Sequence, residues 1–156
     1  MDIKTIMTTQ LCCISESDTL QEAARLMWEC DCGVLPVLNG KEELIGMITD
    51  RDIAMSAYTQ CQAMTEIKVQ NAMSKDVASC KENDDIAKAM EIMQSQQVRR
   101  LPVVNKQKKL VGILSLNDIA VTYKQGKGKL IKASDVADTL AAVCTPRKPS
   151  ATSNVA

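Results

Sequence analysis

The chain has 156 residues, enough for one domain or for two very small units that share a core, and its 46% hydrophobic and 24% charged content is ordinary for a globular protein. Nineteen basic and nineteen acidic residues cancel, so no global charge steers it towards nucleic acid or an anionic membrane. No apolar run approaches the roughly 20 residues of a membrane span. The opening MDIKTIMTTQ also lacks the basic region and continuous apolar stretch of a secretory signal, so the expectation is a cytoplasmic protein with no membrane partner.

Taken in order, the first elements are an opening segment at 3–8 and a short apolar stretch around Cys12 to Ile14. An amphipathic helix follows, with Asp18 or Thr19 at its cap and Thr19-x-x-Glu22 fitting a capping box. Leu20, Ala23, Ala24 and Met27 form its i, i+3, i+4, i+7 stripe. Next come two strands, 34–38 and 44–49, joined by the polar turn 40–43, which is short enough for a hairpin. A second helix starts near Arg51. Residues 62–68 form a joint, and the order then repeats: opening segment 69–74, a short stretch at 77–80, and a helix capped by Asp84 or Asp85 with the stripe Ile86, Ala89, Met90, Met93. Strands at 100–104 and 110–115 and a helix from near Asn117 complete the second pass.

The repetition is exact in register. Residues 3–54 align onto 69–120 without a gap, at the offset of 66 that separates Gly46 from Gly112. Met7 falls on Met73, Asp18 on Asp84, Met27 on Met93, Leu35, Pro36 and Val37 on Leu101, Pro102 and Val103, and Asn39 on Asn105. The strongest match is LIGMITDRDIA (44–54) with LVGILSLNDIA (110–120). Each is a buried strand, then a hydroxyl residue (Thr49, Ser115), then an aspartate three positions on (Asp52, Asp118), at a strand-to-helix junction where a rigid scaffold can hold a polar ligand. A β-α-β-β-α unit of about 50 residues cannot bury both faces of its small sheet, so the fold expected is α/β (α+β), two pseudo-symmetric repeats packed sheet to sheet. The boundaries read as 1–62 for repeat one, 63–124 for repeat two, 125–145 for an extension with one helix, and 146–156 for a disordered, proline-broken tail. In the extension, Ser134 and Asp135 suit a cap, with Val136, Leu140, Ala141 and Cys144 near one face. Lysines 124, 127, 129 and 132 read as a solvated basic loop.

The chemistry of catalysis is thin. Histidine is absent, which removes the commonest general base and the commonest metal ligand together. No Gly-x-x-x-x-Gly-Lys-Ser/Thr phosphate loop occurs, and the cysteines have no evident activating base. The reading is therefore no enzyme and no metal site. The seven cysteines (12, 13, 30, 32, 61, 80, 144) are odd in number and lack framework spacing, and Cys30-Asp31-Cys32 suits neither a zinc knuckle nor a Cys-x-x-Cys pair. They read as reduced thiols, buried or incidental. With no Phe, one Trp and two Tyr, the stacking platform of single-strand nucleic-acid binders is missing. Trp28, beside Met27, reads as edge packing or a subunit contact.

Two β-α-β-β-α copies ending in Gly-φ-φ-Thr/Ser-x-x-Asp, with Leu-Pro-Val upstream, resemble the cystathionine-β-synthase (CBS) domain family, and the tandem looks like its Bateman module in a small stand-alone form. The resemblance covers roughly residues 1–124 and implies a regulatory, energy-sensing module. Its inter-copy clefts would bind AMP, ADP, ATP or S-adenosylmethionine as a regulatory ligand, with no required cofactor. It also implies a homodimer, assembled as a flat disc, that signals to an unidentified regulated protein by a change of conformation or assembly.

By resemblance, Asp118 and Asp52 would accept from ribose hydroxyls while Ser115 and Thr49 contact phosphate, in two related clefts. The chemistry agrees, since a carboxylate accepts from both hydroxyls of a cis-diol and a hydroxyl at a helix start adds to free backbone N–H groups. Thr8, Thr9 and Ser74 of the opening segments, and Gly33, Val34, Arg99 and Arg100 before the Leu-Pro-Val strands, match positions lining the same clefts. The copies differ. Arg99 and Arg100 suit bidentate phosphate binding beside Asp118, whereas copy one has Gly33 and Val34 there and carries Arg51 where copy two has Asn117. The Asp118 cleft ranks first. Alternatives from other classes are helix capping alone at Asp52 and Asp118, a cysteine-based redox- or metal-responsive interaction protein, and a structural dimeric adaptor without ligand.

Overall fold

The computed structural model describes residues 1–127 and 131–146. Each copy is built on one plan. In copy one, β1 (Ile14–Ser15) lies parallel to β2 (Val34–Leu38), and β2 is antiparallel to β3 (Leu44–Thr49), with α1 (Leu20–Glu29) between β1 and β2 and α2 (Asp50–Gln60) after β3. Copy two repeats this with β4 (Cys80–Lys81), α3 (Ile86–Gln96), β5 (Arg100–Val104), β6 (Leu110–Ser115) and α4 (Leu116–Lys124). The register repeats as well, Val37 facing Gly46 and Val103 facing Gly112.

Local chemistry sets the element ends. Thr19 caps α1 by accepting from the Glu22 N–H at 3.3 Å, and Asp85 caps α3 by accepting from Ala87 at 2.9 Å. The Glu22 carboxylate pairs with Arg25. Asp18 and Asp84, the other cap candidates, instead close the preceding turns by accepting from the Ser15 and Lys81 N–H groups at 3.0 and 2.9 Å. The stripes Leu20, Ala23, Met27 and Ile86, Ala89, Met90, Met93 are buried, while Ala24 is half-buried. In each hairpin one asparagine organises the turn. Asn39 Oδ1 accepts from the Lys41 and Glu43 N–H groups, and Asn105 Oδ1 does the same for Gln107 and Lys109.

The two copies exchange their opening segments. Ile3 is fully buried in the core of copy two, and Ile67 and Val69 complete the core of copy one. Backbone bonds fix the exchange: Ile3 N–H to Asp84 O at 3.1 Å and Lys4 N–H to Glu82 O at 3.0 Å on one side, Leu20 N–H to Ile67 O at 3.0 Å and Val69 N–H to Asp18 O at 2.9 Å on the other. Thr8 then pairs with Ile113 of β6 in both directions at 2.9 Å, and Ser74 pairs with Met47 of β3 at 2.9 and 3.0 Å. The motif glycines exist for this approach. A Cβ at Gly112 would stand 2.5 Å from Met7 Sδ, and one at Gly46 would stand 2.5 Å from Met73 Sδ. Full burial of a side chain such as Ile3 contributes about 1.5–3 kcal/mol, so each opening segment helps hold the other copy's core.

After copy two, α5 (Ala133–Cys144) packs on α3 and α4. It starts one residue before the expected Ser134 cap. Lys132 stands at the N-cap, and Asp135 in the first turn accepts from the Lys132 N–H at 3.2 Å. Its inner face is also rotated from the expected one, because Val136, Thr139 and Val143 turn inward while Leu140, Ala141 and Cys144 are exposed. A threonine can lie at 0% exposure here because its hydroxyl donates to Asp135 O at 2.7 Å and accepts from Gln94 Nε2 at 2.8 Å. Lys129 of the basic loop and all of the expected tail beyond Pro146 lie outside the described residues. Among the described residues no helix is long and apolar enough to cross a membrane.

Candidate ligand cleft

The junctions singled out by the repeat are reciprocal capping boxes. Asp118 Oδ2 accepts from the Ser115 N–H at 2.8 Å and from the Ser115 hydroxyl at 2.6 Å, while Ser115 Oγ accepts from the Asp118 N–H at 3.1 Å. Asp52 and Thr49 repeat this at 2.9, 2.7 and 3.1 Å. Capping at these aspartates is therefore real, and it positions them. The cap consumes Oδ2 of Asp118, whereas Oδ1 takes no hydrogen bond among the described residues and remains an acceptor. The Ser115 hydroxyl proton is already given to Asp118, which leaves this hydroxyl an oxygen rather than a proton to offer.

Between the copies, one cleft of about 210 Å³ is lined by Thr8, Gln10, Leu11, Cys12, Cys30, Cys32, Val34, Arg100, Ile113, Ser115 and Asp118. The walls come from three places. The β6–α4 junction supplies Ser115 and Asp118, the exchanged segment running out of copy two supplies Thr8, Gln10, Leu11 and Cys12, and the chain before and within β2 supplies Cys32 and Val34. Arg100, at the start of β5, is half-buried and lines both this cleft and an adjoining one of about 470 Å³. The adjoining cavity is bounded by Met27, Trp28, Asp31, Cys32, Gly33 and Asp50, among others. Arg99 and Arg100 have no ion pair among the described residues.

The structure thus gathers Thr8, Val34, Arg100, Ser115 and Asp118 in one cleft and puts Gly33 in its neighbour. Thr9, Arg99 and Asn117 are exposed, outside both linings. Thr49 and Asp52 form the pseudo-equivalent junction in copy one, with Ser74 paired to Met47 nearby and Arg51 exposed in the first turn of α2. Ile113 joins the Asp118 cleft from within the repeated motif, whereas Gln10, Leu11 and three cysteines join it without a sequence signal, since residues in loops and at a helix end carry no periodicity. Trp28 is not packed at an edge. It is 88% exposed at the rim of the adjoining cavity.

The cysteines need correction. Cys12 and Cys30 are joined by a disulfide, with a Cα–Cα distance of 6.7 Å, so not all seven are free thiols. The fold brings the end of the exchanged segment against the C-terminus of α1, and a separation of 18 residues gives no hint of it. Burial pushes the Cys13 thiol up, and burial, helped by the Asp84 charge, raises Cys80 to about 11. Among the described residues no group of three or more Cys, Asp or Glu is placed to hold a metal ion.

A family model for the CBS domain matches residues 3–57 and again 67–123. The chain belongs to the CBS-domain family. The CBS domain-containing protein YhcV of Bacillus subtilis is 40% identical over 119 residues, 76% of this chain and 83% of that protein. Some relatives are much longer. Inosine-5'-monophosphate dehydrogenase of Methanocaldococcus jannaschii is 34% identical over 128 residues, and the match spans only 24% of its length. Among solved structures, the CBS domain pair of protein MJ0100, in complex with 5-methylthioadenosine and S-adenosyl-L-methionine, superposes with a TM-score of 0.72 at 21% identity, over 81% of this chain and 98% of that one. CBSX2 from Arabidopsis thaliana in complex with AMP gives 0.71 at 23% identity, over 81% and 98%. At these identities the likeness is one of fold, and the two family-model matches are what mark the copies as CBS repeats.

Proposed function

We propose that this CBS pair is a regulatory, non-enzymatic module that binds an adenosine-containing ligand in the cleft at Asp118. The observation that carries the reading is the convergence of Asp118, Ser115, Thr8 and Arg100 on one inter-repeat cleft. The free Oδ1 of Asp118 accepts from a ribose hydroxyl, and Arg100 supplies an unpaired guanidinium for a phosphate. Aliphatic Val34, Leu11 and Ile113 form an apolar wall for a base. That folds of this kind hold AMP in CBSX2 and S-adenosyl-L-methionine in MJ0100 supports the ligand class. The Asp52 junction is the second candidate cleft.

Regulation follows if the ligand binds two arrangements of the repeats with different affinity, because only differential binding shifts an equilibrium. The exchanged segment is the element through which a shift would travel, since Thr8, Gln10, Leu11 and Cys12 line the cleft while Ile3 anchors the core of repeat two. A homodimer would use the α1–α2 face of repeat one, where Trp28, Met55 and Tyr58 are exposed, since α5 packs against α3 and α4 of repeat two.

Calorimetry of the full chain against AMP, ADP, ATP and S-adenosylmethionine tests the reading. At protein near 100 μM, a dissociation constant of ~10 μM gives a clear isotherm. Silence with all four ligands refutes the proposal.

A further inference from the structure

The sulfur atoms are not scattered at random. Cys12, Cys30 and Cys32 all line the Asp118 cleft, and Cys12–Cys30 is a disulfide. At the pseudo-equivalent positions of repeat two, 66 residues on, stand Ala78, Gln96 and Val98. The three cysteines of this wall thus have no cysteine counterparts in repeat two. The remaining thiols lie outside this lining: burial pushes the Cys13 and Cys80 thiols up, and Cys61 and Cys144 are exposed.

The bridge joins two elements whose spacing sets the width of the cleft. Cys12 ends the stretch Thr8 to Cys12 that forms one wall, just after the chain crosses from repeat two to repeat one. Cys30 is the C-cap of α1, on repeat one. With the bridge closed the cleft measures about 210 Å³, below the ~300–1,000 Å³ of ordinary small-molecule sites. The adjoining cavity of about 470 Å³ meets it at Cys32 and Arg100, so a wall that moves back from Cys30 opens one space into the other.

We infer that Cys12 and Cys30 are a reversible thiol–disulfide modification site that controls ligand affinity in the Asp118 cleft, the bridged form being narrow and weak-binding and the dithiol form open. The inference rests on the nucleotide reading of that cleft. Closure removes two protons and two electrons from the two thiols. A low-molecular-weight disulfide such as glutathione disulfide accepts them and leaves as two thiols, and a thiol reductant reverses the step through a mixed disulfide.

The test is AMP titration of the full chain in two preparations, one oxidised with glutathione disulfide and mapped for the Cys12–Cys30 peptide, the other reduced. The variant Cys12→Ser with Cys30→Ser is titrated under both conditions. The reduced wild type and the variant are expected to bind AMP at least tenfold more tightly than the oxidised wild type, and the variant to ignore the oxidant. By linkage, saturating AMP then raises the reduction potential of the bridge by about 30 mV for each tenfold difference in affinity. Equal affinity of the two preparations, a variant that still responds to oxidant, or failure of the bridge to form under oxidation overturns the inference and leaves the nucleotide reading standing. Absence of AMP binding in both preparations overturns both.

Discussion

The exchange of opening segments makes a sharp prediction, because it couples residues that local packing would keep apart. Replacing Gly112 by alanine places a Cβ 2.5 Å from Met7 Sδ, 2.9 Å from Met7 Cγ and 3.2 Å from the Thr8 carbonyl oxygen. Comfortable carbon contacts lie at about 3.5–4.0 Å, so the thioether must retreat by roughly an ångström and the Thr8–Ile113 pairing must loosen with it. Overpacking of this kind costs typically 1–3 kcal/mol. Because methionine is flexible, Gly112→Ala is expected at the lower end, about 1–2 kcal/mol by urea denaturation. Shortening the obstacle with Met7→Ala should recover part of that cost, giving a coupling of about 1 kcal/mol between positions 7 and 112 in a double-mutant cycle. The same cycle between Met73 and Gly112 should be additive within about 0.5 kcal/mol, since Met73 sits over Gly46. Coupling of Gly112 to Met73 rather than to Met7 would show that each repeat keeps its own opening segment, and the account of the cleft wall would fail with it.

Two further predictions concern stability. Thr139→Val removes the acceptor of Gln94 at a fully buried position and should cost about 1–3 kcal/mol, with faster proteolysis of the C-terminal helix. A change under about 0.5 kcal/mol would mean that α5 is not held by this bond. Burial pushes the Asp84 carboxyl up, but the Lys81 N–H and the Lys88 ammonium at 3.0 Å outweigh it, so the group sits below its ordinary value. A carboxyl lowered in the folded state contributes fully above its unfolded value, about 3.9, and loses that contribution as the pH falls through the lower folded value. Wild-type stability should therefore fall more steeply than that of Asp84→Asn as the pH drops below about 4, and parallel curves would refute the assignment.

Much of the fold was legible because the chain states it twice. The gap-free offset placed every strand and helix of the two repeats in order, and the stripes at Leu20, Ala23, Met27 and Ile86, Ala89, Met93 are the buried faces. What the alignment could not carry is which repeat an opening segment serves, since Ile3 and Val69 align equally well whether they pack at home or abroad. The glycines held the clue, because Gly46 and Gly112 mark a close approach without naming the partner. The inward face of α5 depended on Thr139, a polar residue made buriable only by Gln94, 45 positions away. The hydroxyl and carboxylate of the cleft were visible as a motif. Its sulfur wall was not, because Cys12 and Cys30 meet only after the segments cross.

The central claim is that an adenosine-containing ligand lies against Asp118. The most direct measurement is AMP affinity of the reduced chain compared with Asp118→Asn and Asp52→Asn, substitutions that retain an amide oxygen to accept from Ser115 or Thr49 and so keep the helix caps. A hydrogen bond to a charged acceptor is worth about 1.5–3 kcal/mol, so Asp118→Asn should weaken AMP roughly 10- to 100-fold while Asp52→Asn leaves that site within about twofold. Unchanged affinity in Asp118→Asn, or a greater loss in Asp52→Asn, would contradict it.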